Sequence, residues 1–357
     1  MGGSVEICIK HIAAQLSARH KVTVVSRQHR RYPARQTEGN LTIVRVPTGS
    51  PSRYIANAIE AVRGNHFDVI QIDNRPKFVP AVRNAFPHTP ISLFLHSLTF
   101  VSAPMIGREQ ARACLAQADL IVTNSKATSS TLKRRFASSR HKIRTVWLGV
   151  NLKLFRPRSA ELRRSIKRRY RVGKGFTLLF TGRIIPRKGI PVLLKAAAIM
   201  RRQVPGVNVA IAGNGKKGYL GQLKRQARRL GVNARFIGYI PHRRIHEIYG
   251  LADCFVCPSQ RHESFGLVNV EALASGVPVV ASRNGGIKEI VRHGRNGFLV
   301  GNYRSPRAFA RYLVRIARDR ALRMRLSKQA RSDAVKRFSW RATAGRLSGL
   351  YLKASKS

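Results

Sequence analysis

Two carboxylates stand eight positions apart in the run Pro258-Ser-Gln-Arg-His-Glu263-Ser-Phe-Gly266-Leu-Val-Asn-Val-Glu271-Ala-Leu-Ala-Ser-Gly276-Val-Pro278. They flank a glycine that opens a helical segment, in a chain with 68 Lys and Arg against only 15 Asp and Glu. Glu271, about one turn into that helix, is placed to accept hydrogen bonds from vicinal hydroxyls such as those of a ribose, and Glu263 in the preceding loop from sugar hydroxyls. The N–H groups around Phe265, Gly266 and Leu267 suit a phosphate, because a helix start gathers unpaired donors and a partial positive charge. Helix-capping or plain surface roles for both glutamates are disfavoured by the spacing, by Gly266 and by the Gly-Val-Pro strand start that follows. A second constellation lies upstream. Phe180-Thr-Gly182-Arg183 ends an apolar run, and Ile-Ile-Pro-Arg-Lys188-Gly189 leads into a helix. Gly182 lets backbone approach a ligand, while Arg183 and Lys188 can both reach phosphate oxygens from one loop. Read alone, that pair also fits two surface bases in a basic protein. Read together, the two segments suit a departing diphosphate, whose growing negative charge needs cations and helix N-termini close by.

Such residues need sheet ends to hold them, and the chain supplies these from one end to the other. Short β-rich runs alternate with helical patterns, the mark of parallel sheets with crossover helices. Strands are expected at 21–26, 41–46, 68–72, 91–96, 120–123 and 142–147, then at 177–181, 207–212, 235–237, 254–257, 278–281 and 297–300. Between the two series lie Gly149–Pro157 and a very basic helix, 158–171. The expected division is therefore an N-terminal domain 1–157, a C-terminal domain 158–338 and a last helical stretch, 339–357, that returns to the first domain. At the start, Met1-Gly2-Gly3-Ser4 reads as a glycine turn, because Val5, Cys8, Ile9, Ile12, Ala13 and Leu16 follow at helical spacing. No strand precedes that turn in the sequence. A first strand is central in a doubly wound sheet, so a split sheet or an open core is expected in this domain, as from a truncated or misassigned start.

The 357 residues suffice for two α/β domains of ordinary size. A formal net charge of +53 favours anionic partners, although basic helix faces are also consistent with simple solvation. No nucleic-acid recognition motif accompanies the charge, so specific nucleic-acid binding is not expected. Cys8, Cys114, Cys254 and Cys257 are too few and scattered for a disulfide framework. Cys254 and Cys257 fall on one strand, where positions three apart face opposite ways, and a buried apolar role is expected for both. With no apolar run of membrane-spanning length and no cleavable leader pattern, the expectation is a cytoplasmic protein, at most peripheral on a membrane or associated with a spore coat.

The 263–271 run resembles the E-x7-E segment of the retaining glycosyltransferases of family 4. Further points of resemblance are the Gly2-Gly3 turn, Asn124-Ser125, Gly149-Val150-Asn151, Gly182-Arg183 with Lys188-Gly189, Gly213-Asn-Gly215, Gly238, Gly285-Gly286 and Asn296-Gly297, which span essentially the whole chain. The segment Phe67–Pro76 also resembles the spore-coat protein SA branch of that family. The resemblance implies the α/β GT-B fold, two Rossmann-like, doubly wound parallel-sheet domains facing a cleft. It further implies that Arg183 and Lys188 bind the donor diphosphate, Glu263 the transferred sugar and Glu271 the ribose. His96 would face the donor sugar, Gly2 and Gly3 would lie near the diphosphate, and Gly182, Gly213, Phe265, Gly266 and Leu267 would complete the donor site. The implied partners are a nucleotide-sugar donor, UDP- or GDP-linked, and a glycan, lipid-linked or other anionic acceptor. No two aspartates stand two apart, which disfavours a D-x-D metal site, so no metal and no cofactor is expected. The alternative is a catalytically idle relative that serves as a structural protein of a spore coat or surface layer.

Overall fold

The computed structural model describes residues 4–356, and the chain divides into two compact units, 1–148 with 340–357 and 149–339. The division falls after Leu148, whereas the sequence suggested residue 157. The reason is local: Val150 N–H donates to Phe338 O, and the Arg331 guanidinium donates to Phe155 O and Leu152 O, which ties 149–157 to the second unit.

The first unit runs α1 (Ser4–Leu16), β1 (Val22–Arg27), β2 (Arg35–Glu38), β3 (Leu41–Val46), α2 (Pro51–Glu60), β4 (Ile70–Asp73), α3 (Val79–Ala85), β5 (Ile91–Leu95), α4 (Arg108–Ala116), β6 (Leu120–Thr123), α5 (Lys126–Arg135) and β7 (Ile143–Thr145). Its strands form two separate sheets, β1-β3-β2 and β4-β5-β6-β7. All pairings are parallel except β2 with β3. The sheet is thus split among the described residues, as the sequence led one to expect. Burial follows the split. Every residue of β5 and β6 is buried, as a strand covered on both faces must be, whereas no residue of β1 is. The larger core gathers Val79, Leu93, Leu95, Leu115, Ile121 and Phe136, while Val44, Val46 and Ala58 form a small one under β3. The antiparallel strand β2 is absent from the sequence reading, because Arg35-Gln-Thr-Glu38 is polar and wholly exposed and carries no burial pattern.

The second unit runs α6 (Ala160–Arg169), β8 (Thr177–Thr181), α7 (Ile190–Arg201), β9 (Asn208–Ala212), α8 (Lys217–Arg229), β10 (Asn233–Gly238), α9 (Ile245–Ile248), β11 (Cys254–Cys257), α10 (Leu267–Ala274), β12 (Val279–Ser282), α11 (Ile287–Ile290), β13 (Gly297–Val300), α12 (Pro306–Arg318) and α13 (Arg320–Arg337). One parallel sheet of order β10-β9-β8-β11-β12-β13 results. Strands β8, β9, β11 and β12 are buried throughout, and both Cys254 and Cys257 are free and buried in β11. The order reverses between β8 and β11. Loops leaving the carboxyl ends of those two strands diverge there and leave a ligand crevice.

The last helix, α14 (Trp340–Ala354), belongs to the first unit and packs on α1. His11 stacks on Trp340 with centroids 5.2 Å apart, His20 Nε2 lies 2.9 Å from Ser348 Oγ, and Thr343 Oγ1 donates to Trp147 O. No described helix is long and apolar enough to cross a membrane.

Because no residue of β1 or β2 is buried and the cluster described at β3 is small, opening of these strands needs less apolar surface to be exposed than opening of β5 and β6. Amides of Val22–Val46 are expected to exchange hydrogen at least about a hundredfold faster than those of Ile91–Leu95 and Leu120–Thr123, as mass spectrometry of peptide fragments would show.

Candidate functional site

The loop after β8 is Gly182-Arg-Ile-Ile-Pro-Arg-Lys-Gly189, with a short 3-10 turn at Pro186–Lys188. It is pinned on both sides. Gly182 N–H donates to Ala212 O and Ile184 N–H to Asn214 O, while Gln260 N–H donates to Arg187 O from the loop after β11. Gly189 adopts φ +72° before α7, and a Cβ there would lie 1.9 Å from Pro258 O. Only glycine allows both that backbone sign and that approach. Gly213 follows β9 and donates its N–H to Gly238 O, so the carboxyl ends of four strands, β10, β9, β8 and β11, are laced together.

The lacing brings Lys188 Nζ to 2.5 Å from Glu263 Oε2, with both side chains largely buried. Ser259 Oγ donates to the same oxygen at 3.1 Å. Gly285, at φ +48°, is held against the glutamate main chain, where an added Cβ would fall 2.0 Å from Glu263 O, and Gly286 N–H donates to that carbonyl at 2.8 Å. Both side-chain contacts of Glu263 thus use Oε2. Arg183 is exposed in the same loop, and no hydrogen bond or ion pair of its side chain is seen among the described residues. Arg187 is exposed too, so the loop presents one cation paired with a carboxylate, Lys188, and two, Arg183 and Arg187, with no side-chain partner seen among the described residues.

Gly266, in the left-handed region at φ +93°, is the N-cap of α10, and no side chain caps the helix start there. Asn269 Nδ2 donates to Gly266 O at 3.0 Å, and Phe265 is buried edge-to-face against Phe338. Glu271 lies inside the same helix, 7% exposed. Its Oε2 accepts from the Tyr249 hydroxyl at 2.6 Å, and Thr181 Oγ1 lies 3.0 Å from that hydroxyl. The phenol has one proton and gives it to the carboxylate, so Thr181 must donate to the phenol oxygen. Burial pushes the Glu271 carboxyl up to about 7, and the Tyr249 hydrogen bond offsets only part of that rise. No cation among the described residues pairs with it to compensate for the burial. The result is a carboxyl held in place, with a vacant oxygen and a charge that a hydroxyl-donating ligand would stabilise.

In the first unit, His96 follows β5 and is 7% exposed, stacked on Phe94 with centroids 4.3 Å apart. Its main chain is fixed by two asparagines, His96 N–H donating to Asn74 Oδ1 and Asn124 Nδ2 donating to His96 O, each at 2.8 Å. Its Nε2 lies 2.8 Å from Asp73 Oδ1.

The structure therefore collects Gly182, Arg183, Lys188, Gly213, Glu263, Phe265, Gly266, Leu267 and Glu271 around the strand ends of the second unit, while His96 belongs to the first. Gly2 and Gly3 lie outside the described residues. Tyr249, Thr181 and Ser259 are absent from the sequence reading: Tyr249 and Ser259 each support a glutamate through one hydroxyl, Thr181 supports Tyr249, and Tyr249 stands 22 positions from Glu271 with no spacing to signal the contact. Among the described residues no group of three or more His, Cys, Asp and Glu is placed to hold a metal ion.

Comparison with known proteins matches residues 1–154 to the Glycosyltransferase Family 4 model and residues 163–333 to the Glycosyl transferases group 1 model. Spore coat protein SA of Bacillus subtilis (strain 168) is 27% identical over 362 residues, which cover 99% of this chain and 95% of that protein. The D-inositol 3-phosphate glycosyltransferase of Thermomonospora curvata is 36% identical over 261 residues, 69% of this chain and 59% of that protein. Among solved structures, sucrose-phosphate synthase from Thermosynechococcus elongatus has a TM-score of 0.82 at 24% identity, covering 99% of this chain and 94% of that one. Anabaena Alr3699/HepE in complex with UDP and glucose has a TM-score of 0.77 at 22% identity, covering 98% and 95%. These structures share the GT-B architecture of two parallel-sheet α/β domains.

The raised Glu271 carboxyl has a consequence for stability. Between the ordinary carboxyl range near 4.5 and about 7, the unfolded chain has released the proton that the folded chain still holds, so this group lowers stability as pH rises through that window. Glu271→Gln removes the effect while keeping an acceptor for Tyr249. Its melting temperature is expected to exceed that of the unaltered protein at pH 8 and to approach it near pH 4.5, as calorimetry across that range would read.

Proposed function

The chain belongs to the family 4 and group 1 glycosyltransferases, and from that membership we propose a retaining enzyme that moves a sugar from a UDP-linked donor to a hydroxyl acceptor. The observation that carries this reading is the convergence of Lys188, Glu263 and Glu271 at the switch point of the second sheet. Each matches one part of such a donor. Glu271 suits the vicinal ribose hydroxyls, Arg183, Lys188 and the start of α10 suit the diphosphate, and the vacant Oε1 of Glu263 suits a sugar hydroxyl. UDP is favoured as the carrier because Alr3699/HepE, of the same fold, is described in complex with UDP-glucose.

In this reading the bond from the anomeric carbon to the diphosphate oxygen breaks, and its electron pair leaves with the diphosphate. Arg183, Lys188 and the helix-start N–H groups stabilise that growing charge without a metal ion. The acceptor oxygen bonds to the same face of the carbon, and its proton passes to an oxygen of the departing phosphate. Configuration is thereby retained with no enzyme nucleophile. The net charge of +53 favours an anionic acceptor, such as a glycan or lipid-linked chain at a membrane surface, and such an acceptor suits cell-envelope, polysaccharide or spore-coat glycan synthesis.

A thermal-shift screen with UDP-, GDP- and ADP-sugars tests the proposal. A ligand at a hundred times its Kd stabilises by about 2.7 kcal/mol, so the melting temperature should rise by several degrees with the UDP-sugar. Lys188→Ala and Glu263→Ala should each abolish most of the rise. Folded protein that responds to no donor would favour the idle, structural alternative, for which the split first sheet is the specific support.

A further inference from the structure

A chain of four side chains in the first unit ends on His96. The Tyr351 hydroxyl of α14 donates to Gln71 Oε1, Gln71 Nε2 donates to Asp73 Oδ2 at 2.9 Å, and Asp73 Oδ1 lies 2.8 Å from His96 Nε2. The polarity of every link is dictated by the one before it. A phenol has a single proton, so an amide that accepts it through oxygen must turn its nitrogen to the next partner. That partner is Asp73, which as a carboxylate only accepts, so the proton shared with His96 sits on Nε2. A neutral imidazole protonated at Nε2 keeps its lone pair on Nδ1. In the structure Nδ1 is buried, with no hydrogen-bond partner among the described residues. Buried polar atoms are rarely left so, and a preset acceptor without a protein donor is suited to a donor carried by a ligand.

We propose that Asp73, aligned through Gln71 by Tyr351, is a positioning residue that fixes the tautomer of His96 and so presents Nδ1 as an acceptor for a ligand hydroxyl. The chain spans the unit from β4 to the terminal helix, so the last helix does more than cover apolar surface. Tyr351 is buried deeply enough that its hydroxyl is raised well above its ordinary range, and it remains a proton donor at every working pH. Identifying the hydroxyl with one on a sugar substrate rests on the glycosyltransferase reading. The tautomer does not.

The test uses the full chain with 15N-labelled histidine and long-range proton–nitrogen correlation, in which protonated and bare ring nitrogens resonate far apart. The His96 signals are identified by their loss in His96→Gln. The unaltered protein is expected to show protonated Nε2 and bare Nδ1. In Asp73→Asn, the new amide accepts from Gln71 through its oxygen and turns its nitrogen to His96, so the proton should move to Nδ1. With the donor found by thermal shift, kcat should fall at least about tenfold in that variant while KM changes by less than about twofold, since a ring in the wrong tautomer costs turnover more than binding. Tyr351→Phe should move the signals in the same direction to a smaller extent, and it keeps the test open if Asp73→Asn folds poorly. A ring protonated on Nδ1 in the unaltered protein, or folded Asp73→Asn with both ring signals unmoved, overturns the proposal. A tautomer that shifts as expected in a protein inert towards every donor upholds the positioning chain and defeats the transferase reading instead.

Discussion

Close approach of three loop backbones at one sheet edge is the constraint on which the second unit depends. Strands β8, β9 and β11 are each buried on both faces, so their loops can diverge only at the carboxyl ends, and there they are laced by main-chain hydrogen bonds from Gly182, Ile184 and Gln260. At Gly189 and Gly285 any side chain would strike a carbonyl oxygen within about the length of a covalent contact, with distances of 1.9 and 2.0 Å. Lys188 meets Glu263 because of that lacing, since the two residues lie on separate loops 75 positions apart. The ion pair is largely buried and has Ser259 as a third member, so it is held in one geometry before any ligand arrives.

The scarcity of acids makes the treatment of each one informative. Asp253 is met by Arg163, Lys167 and the Thr177 N–H, and Asp333 by Asn296, Gln329 and two arginines within 4 Å, so both work as anchors between elements. Glu271 differs from them. In a chain of net charge +53 it is buried with a phenol and no cation, an arrangement that costs stability when the carboxyl ionises. Residues retained in so unfavourable a state are concentrated at functional sites, and the ribose role proposed for Glu271 gives the cost a purpose.

Much of this was legible in the sequence because it is written at short range. The alternation of strands and helices places β3, β6, β8, β11 and β13 at the expected residues, and glycines at 189, 213 and 285 mark where backbone passes close. What stayed hidden is written at long range or in exposed polar residues. Strand β2 is four exposed residues paired to β3, and no periodicity announces it. Tyr249 beneath Glu271 and Asp73 beside His96 act through one hydrogen bond each across 22 and 23 positions, so only the fold brings them together. The burial of Cys254 and Cys257 was legible as well, because both fall within one short apolar strand.

The ribose role of Glu271 can be read most directly from protons. Hydroxyls that donate to this carboxyl stabilise its ionised form, so binding of UDP-glucose near pH 6 should expel a proton from a group that stands at about 7 in the free protein. Titration calorimetry in buffers of different ionisation enthalpy counts that proton, and the diphosphate of a UDP-sugar has no proton of its own to release in this range. Release of a fraction of a proton in the unaltered protein, lost in Glu271→Gln, is the outcome that the donor site described here requires. UDP-glucose that binds with the same proton count in both proteins would mean that the donor does not engage Glu271, and the assignment of this crevice would fall.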